Sequence, residues 1–162
     1  MEREPIQPIS ENLWWVIPSK LAGVRKPIMP EELYQLQAEG IEALVSVMDD
    51  PSNLDLYQKA EIPYLWLPIK GGSVPSQEQI QELRNFIDNQ NNLGKAVAVH
   101  CTNGRKRTGT MLASYLICTG SSYEDAMQTL QAANSNVELR EAQSDFLREL
   151  YQFEKRMRHI CG

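Results

Sequence analysis

With 162 residues, the chain has the length of one ordinary domain and is long enough to bury one sizeable core. Hydrophobic residues make up 42% and charged residues 23% of it, which is typical of a globular protein, and no apolar run approaches the roughly 20 residues that a membrane span needs. The net charge of -5 argues against a general nucleic-acid-binding surface.

The first half of the chain alternates between strand and helix patterns. Residues 13–17 predict a strand whose two tryptophans anchor the core. Residues 30–40 begin with proline and acids and end with glycine, which predicts a short helix. Residues 41–47 and 62–68 have apolar strand patterns, and residues 76–89 predict an amphipathic helix capped by a serine.

The second half is predicted to be mainly helical. A short apolar strand at 96–99 is followed by a buried helix at 110–118, a helix at 123–133 and a charged amphipathic helix at 141–158. Strands separated by helices indicate an α/β fold. We expect one domain over residues 1–162, located in the cytoplasm, with frayed ends at 1–10 and 159–162.

Positive charge is concentrated in one stretch of the sequence. Residues 89–123 contain Lys95 and three consecutive cations at 105–107 but no acid, so this stretch carries +4 and the remainder -9. A local positive site on an acidic chain suits a small anionic group. Three widely spaced cysteines and two histidines indicate neither a disulfide framework nor a zinc site.

A polar loop, residues 100–108, joins the last predicted strand to the buried helix. Free N–H groups and the dipole at the start of that helix make a site for a dianion. Cys101 faces these groups at the strand end and is predicted to be a thiolate nucleophile, while Arg107 can fold back and grip two phosphoryl oxygens. Thr108 can donate its hydroxyl to the departing sulfur. The predicted phosphate-binding residues between them are Thr102, Asn103, Gly104, Arg105 and Lys106.

The pattern His-Cys-x-x-Gly-x-x-Arg-Thr, beginning at His100, resembles the signature of the protein tyrosine phosphatase superfamily. Segments 15–18, 21–23, 44–46 and 108–116 look like the small atypical dual-specificity phosphatases, and the likeness covers nearly the whole chain. It implies a central four- or five-stranded, mainly parallel sheet flanked by helices. It also implies a phosphocysteine intermediate, no metal or cofactor, and a phosphorylated protein or small phosphorylated molecule as substrate. His100 would then shape the loop and tune the thiol.

The general acid of that family has no counterpart at its usual place. The family carries an aspartate after the third strand, often in Ile-Pro-Asp, whereas residues 67–75 contain no carboxylate and have Lys70-Gly71 where Pro-Asp is expected. General acid catalysis typically contributes about 10²–10⁴-fold. Its loss would restrict the enzyme to substrates with acidic leaving groups.

Three explanations for the missing aspartate stay open at the level of sequence. Asp49 or Asp50 could supply the acid from another loop, although a turn or cap is the expected role of both. The substrate could be an aryl phosphate or a phosphoanhydride, whose leaving group needs no acid. The protein could instead bind phosphate as a recognition module with slow turnover.

Two further substrate classes follow from the loop. Its His-Cys-Thr start is similar to that of metal-independent RNA 5'-triphosphatases, which also lack the aspartate, but no basic track with interleaved aromatics is present to hold RNA. Arg105 and Lys106 would suit a phosphoinositide or inositol phosphate. Glu138, and after it Gln143, are candidates to position the water that hydrolyses the phosphocysteine.

Overall fold

The computed structural model describes residues 8–102 and 106–161, with side chains described as far as residue 158. Within these ranges, five strands form one sheet in the order β1-β2-β5-β3-β4. β1 runs antiparallel to β2 and the other three pairs are parallel, so the predicted mainly parallel α/β sheet is confirmed. The strands are β1 (Trp14–Ile17), β2 (Leu21–Gly23), β3 (Ile41–Ser46), β4 (Tyr64–Trp66) and β5 (Ala96–His100).

Helices cover both faces of this sheet. They are α1 (Pro30–Ala38), α2 (Leu54–Lys59), α3 (Gln77–Asn92), α4 (Lys106–Cys118), α5 (Tyr123–Ala133) and α6 (Glu141–Cys161), with a short 3-10 helix at Ile9–Asn12. Ser76 starts α3 with a reciprocal capping box to Gln79, an arrangement that contributes about 1 kcal/mol. None of the described helices has the length and apolar character needed to cross a bilayer.

The two faces of the sheet have separate cores, because side chains alternate along each strand. On β5, Ala96 and Ala98 pack with α1, α2 and the 3-10 helix. Val97 and Val99 pack instead with α3, α4, α5 and α6. The same alternation sends His100 and Cys101 to opposite sides of the sheet, which separates the roles of these neighbouring residues.

Several predicted boundaries differ from the structure. The strand expected at 62–68 is reduced to β4, because prolines at 63 and 68 have no N–H for the sheet. The fraying expected for residues 1–10 does not reach Ile9, which is fully buried against α1. The helix expected from residue 110 begins at Lys106. The sequence patterns also missed β2 and α2, which are short.

Candidate active site

The site lies at the carboxyl edge of the parallel strands, with β5 in the centre. Val24 donates its N–H to the Val99 carbonyl at 3.1 Å, and Val47 donates to the His100 carbonyl at 3.0 Å. Ile69 donates in turn to the Val47 carbonyl at 3.3 Å. These bonds continue the sheet beyond its strands, so the segments after β2, β3 and β4 surround the residue that follows β5.

That residue is Cys101, which is 3% exposed and packs with the α4 side of the core. α4 begins five residues later at Lys106, and every residue of it from Thr108 onward is buried. A buried helix that starts beside the strand end directs its free N–H groups toward the same place. Thr102 and Lys106 are exposed, whereas Asn103, Gly104 and Arg105 lie outside the described residues.

Arg107 reaches back across the loop, as the sequence predicts for a phosphate clamp. Its Nη1 donates to the Ile69 carbonyl at 2.8 Å and its Nη2 donates to Thr102 Oγ1 at 3.2 Å. Asp49 Oδ1 lies 3.5 Å from the same Nη1. The Arg107 side chain is only 13% exposed, so the guanidinium is held from three sides at the mouth of the site.

The two aspartates after β3 have different surroundings. Asp49, with its side chain 54% exposed, forms the ion pair with Arg107. Asp50 accepts hydrogen bonds from the N–H and the hydroxyl of Ser52, and these bonds lower the pKa of its carboxyl. Asp50 therefore serves as a turn residue, and Asp49 is the carboxylate that the fold brings to the clamp.

His100 points away from Cys101, into the core on the α2 side. Its Nε2 lies 2.6 Å from the Tyr57 hydroxyl, and the two rings meet edge to face at 5.8 Å. Asn53 Nδ2 donates to the same hydroxyl. Burial lowers the pKa of His100 to about 4, opposed by the contact with the Cys101 carbonyl, which raises it, and assisted by a smaller lowering from the charge of Lys26. The imidazole is therefore neutral at physiological pH.

The remaining predicted site residues are divided between core and surface. Thr108 is fully buried, and its hydroxyl has no hydrogen-bond partner within the described residues. Gln143 is also buried: its Oε1 accepts from the Arg140 N–H at 3.0 Å, while its Nε2 has no partner in that part of the chain. Glu138 is exposed. Of the two candidates for positioning water, only Gln143 has an enclosed polar group.

Two segments flank the clamp. Lys70–Ser73 form a turn closed by a 2.9 Å bond from the Ser73 N–H to the Lys70 carbonyl. Gly72 in this turn has a φ of +80°, and a Cβ there would lie 2.6 Å from Arg140 Nη1. A Cβ on Gly109, two residues after the clamp arginine, would lie 3.3 Å from Val137 and 3.2 Å from Leu139. The segment before α6 therefore packs on α4 and extends Arg140 over the turn.

The family described as "Polymorphic toxin system, DSP-PTPase phosphatase" matches residues 20–121, which run from just before β2 to just before α5 and include the whole loop. The chain belongs to this family. The resemblance to small atypical dual-specificity phosphatases is thereby confirmed.

Individual relatives agree with this assignment. The human "Phosphatidylglycerophosphatase and protein-tyrosine phosphatase 1" is 34% identical over 80 residues, which are 49% of this chain and 40% of the relative. The "RNA/RNP complex-1-interacting phosphatase homolog" of Caenorhabditis elegans is 27% identical over 127 residues, covering 71% of the chain and 53% of the relative. The chain thus spans about half the length of these curated relatives.

The fold has a close counterpart among solved structures. The crystal structure of PTPMT1 superimposes with a TM-score of 0.79 at 21% identity, covering 91% of this chain and 98% of that one. The cysteine-dependent phosphatase fold is therefore shared over nearly the whole domain.

Two sets of contacts in this phosphatase domain were not predicted from the sequence. Tyr57 contacts His100 from the unpredicted helix α2, and Asn53, the residue before this helix, donates to the Tyr57 hydroxyl. The Ile69 carbonyl holds the clamp, and no side-chain motif could indicate a backbone acceptor.

Within the described residues there is no cluster of three or more His, Cys, Asp and Glu side chains placed to hold a metal ion.

Proposed function

We propose that this chain is a cysteine-dependent phosphatase that acts on phosphomonoesters through Cys101. The observation that carries the proposal is the Arg107 guanidinium, held by the Ile69 carbonyl and Thr102 at the mouth of a site with Cys101 at its base. A planar guanidinium in this position can bind two phosphoryl oxygens at once. Buried cysteine, helix start and clamp together match the needs of phosphoryl transfer.

In the first step, the Cys101 sulfur attacks phosphorus, and the S–P bond forms as the bond to the leaving oxygen breaks. Arg107 and the free N–H groups at the start of α4 stabilise the charge on the three equatorial oxygens. In the second step, a water attacks the phosphorus, the S–P bond breaks, and inorganic phosphate leaves. Gln143 is suited to hold this water through its enclosed amide, and Thr108 to donate its hydroxyl to the departing sulfur.

The leaving oxygen receives no proton from the segment after β4, because residues 67–75 contain no carboxylate. Among the described residues, Asp49 is a carboxylate close to the clamp, and its ion pair with Arg107 supports a role in holding the guanidinium. A site of this kind favours leaving groups that depart as anions. Phosphotyrosine, an aryl phosphate, is accordingly the preferred protein substrate.

Hydrolysis of a series of aryl and alkyl phosphates in the presence of a chelator tests this function. We expect turnover without metal and a rate that falls steeply as the pKa of the leaving group rises, since protonation by a general acid is worth about 10²–10⁴-fold. Release of the phenol or alcohol, measured under single-turnover conditions, gives the slope. A protein that binds vanadate but hydrolyses none of these esters would be a phosphate-binding module instead.

The same series on Asp49→Asn separates the two roles of this carboxylate. If Asp49 holds the clamp, its loss lowers the rate by about tenfold for every leaving group, because one contact to a charged group is removed. Parallel slopes for the variant and the unchanged protein are the expected result. A loss confined to alkyl phosphates would identify Asp49 as the general acid.

A substrate with a second anionic group is favoured by one further observation, the position of Arg140. Its guanidinium lies over Gly72, three residues beyond the Ile69 carbonyl that holds Arg107, and no described residue forms a hydrogen bond or ion pair with it. Lys70 is exposed in the same turn. The human relative is named for both a phosphatidylglycerophosphatase and a protein-tyrosine phosphatase activity. We propose that Arg140 binds a second phosphate or carboxylate of the substrate.

Arg140→Gln is expected to raise KM for a bisphosphorylated substrate by about fivefold and to leave p-nitrophenyl phosphate unaffected, because a partly exposed charged contact is worth about 1 kcal/mol. Steady-state kinetics on the two substrates measure the ratio. Arg156→Gln is the matched control, since this exposed arginine lies on α6, sixteen residues after Arg140 and about 24 Å away. Equal increases in KM for the two variants would show that Arg140 contributes only through the overall charge of the protein.

A further inference from the structure

A tryptophan side chain binds the main chain just beyond the end of β3. Val47 still pairs with neighbouring segments through both its N–H and its carbonyl. The next residue, Met48, is 2% exposed, and both of its main-chain groups bind side chains instead. Its N–H donates to Ser46 Oγ at 3.4 Å, and its carbonyl accepts from Trp66 Nε1 at 2.8 Å.

The bond from Trp66 satisfies a carbonyl that has little access to water. An indole N–H can only donate, so the direction of this bond is unambiguous. Its length of 2.8 Å is in the usual range for an N–H···O hydrogen bond. The Met48 carbonyl therefore has a defined orientation at the point where the chain leaves the sheet.

Asp49 begins in the same peptide group as this carbonyl. The Met48 carbonyl, the Asp49 N–H and the Asp49 Cα lie in one plane, because the peptide bond does not rotate freely. Holding the carbonyl therefore also holds the Cα from which the Asp49 side chain extends. That side chain is 54% exposed, yet its Oδ1 lies 3.5 Å from Arg107 Nη1. With its backbone already fixed, the carboxylate loses less conformational entropy when it makes this contact.

Trp66 also lies on the segment that carries a second partner of the guanidinium. It is the last residue of β4, and Leu67 after it donates its N–H to β3 at 2.9 Å. Two residues further, the Ile69 carbonyl accepts from Arg107 Nη1 at 2.8 Å. The indole bond thus links the segment of Asp49 to the segment of Ile69, and both segments contact the same nitrogen of the guanidinium.

We propose that Trp66 is a positioning residue for the phosphate clamp: its indole N–H holds the main chain before Asp49, which places that carboxylate beside Arg107. This role rests on the proposed function, in which Arg107 binds the phosphoryl group. Trp66 contacts neither the sulfur nor the phosphoryl group in this scheme. Its effect reaches the reaction through the Met48 carbonyl and the Asp49 carboxylate.

Trp66→Phe removes the indole N–H and keeps an aromatic ring at the same place. We expect kcat for p-nitrophenyl phosphate to fall about three- to tenfold, the effect of one net hydrogen bond. KM should change little, because a clamp that tightens in the transition state contributes less to binding of the substrate. Steady-state kinetics measure both constants, and circular dichroism verifies that the variant is folded.

Trp15→Phe is the matched control. Trp15 is also partly buried, but it lies on β1, at the opposite edge of the sheet from β4. No described residue accepts a hydrogen bond from its indole. The variant loses the same N–H without touching the segment of Asp49, so kcat should not change. An equal loss of kcat in both variants would assign the effect to packing and overturn the proposal.

A double-mutant cycle with Asp49→Ala tests whether Trp66 acts through this carboxylate. If it does, Trp66→Phe should lower kcat in the unchanged background and have no further effect once the Asp49 carboxylate is removed. The affinity for vanadate, measured by calorimetry on the same four proteins, should show the same dependence. Losses that multiply in the double variant would mean that the two residues act independently, which would overturn the proposal.

The indole proton provides a test that needs no enzymatic activity. The chain has three tryptophans, and the indole ¹H–¹⁵N signal that is missing in Trp66→Phe belongs to Trp66. We expect this proton to exchange with deuterium about tenfold more slowly than that of Trp15, because it is bonded to a buried carbonyl. Equally fast exchange would overturn the proposal. An unchanged protein that is inactive, with the Trp66 proton protected and the vanadate affinities coupled, would count against the proposed function alone.

Discussion

Replacement of Cys101 by serine is expected to abolish hydrolysis of aryl phosphates, with a loss of about 10⁴–10⁶-fold in kcat. A serine hydroxyl at the same buried position stays protonated, because the helix start and Arg107 that favour a thiolate are too weak to ionise an alcohol. Phosphate binding should persist, since the clamp is intact. Steady-state turnover and vanadate binding by calorimetry measure the two properties separately.

The second buried cysteine on α4 provides the control. Burial, followed by the nearby Glu154, raises the pKa of Cys118 to about 11, and its sulfur lies 3.7 Å from a Glu154 oxygen. This thiol is protonated at neutral pH and lies at the carboxyl end of the helix, far from the loop. Cys118→Ser should therefore retain kcat. After rapid quench, mass spectrometry should find one added phosphoryl group on Cys101 only. Phosphorylation of the Cys101→Ser variant would contradict this assignment.

The central parts of the site could be predicted because they are encoded by neighbours in sequence. Cys101 follows an apolar strand, and Arg107 lies six residues later in the first turn of a buried helix. The strand, the loop and the start of the helix are consecutive in sequence. The same short segment therefore determines both which reactive side chains are present and where they lie. The apolar and capping patterns around 30–40, 76–89 and 123–133 are equally local, and all three helices are found within about three residues of their predicted ends.

The groups that hold these residues could not be predicted in the same way. Tyr57 lies 43 residues from His100, and Ile69 lies 38 residues from Arg107. α2 has only six residues and no side-chain cap, so it gives too little periodicity to be recognised. β2 has three residues, which is shorter than a strand pattern needs. Contacts made by such elements depend on the assembled sheet.

Asp49 illustrates how the assembled sheet assigns a role. From the sequence, Asp49 and Asp50 are adjacent and equivalent candidates for a turn or an acid. In the fold, the end of β3 pairs with β5, which brings one carboxylate to Arg107 and leaves the other with Ser52. Under the proposed function, Asp49 holds the clamp and Asp50 holds a turn, so neither of them replaces the acid missing after β4. The proposed site therefore binds phosphate through Arg107 and provides little protonation of the leaving group.

Arg107→Lys is expected to lower kcat for aryl phosphates by about 10²–10³-fold, the effect of removing a preorganised charge donor. The guanidinium makes separate contacts to the Ile69 carbonyl, Thr102 Oγ1 and Asp49 Oδ1. A lysine ammonium is a point charge and cannot hold these partners and two phosphoryl oxygens at once. The positive charge is kept, so the change tests geometry more than electrostatics.

Inhibition by vanadate and by phosphate distinguishes binding of the transition state from binding of the ground state. A clamp that tightens in the transition state contributes more to vanadate, which resembles that state, than to phosphate. Arg107→Lys should therefore weaken the binding of vanadate by a larger factor than the binding of phosphate. Arg148→Lys is the control, because this arginine lies 4.7 Å above the Tyr123 ring and pairs with Asp145 at 3.1 Å on α6. Equal weakening of both inhibitors by Arg107→Lys would mean that the clamp binds the ground state and the transition state alike, and the main source of catalysis would then have to be the start of α4.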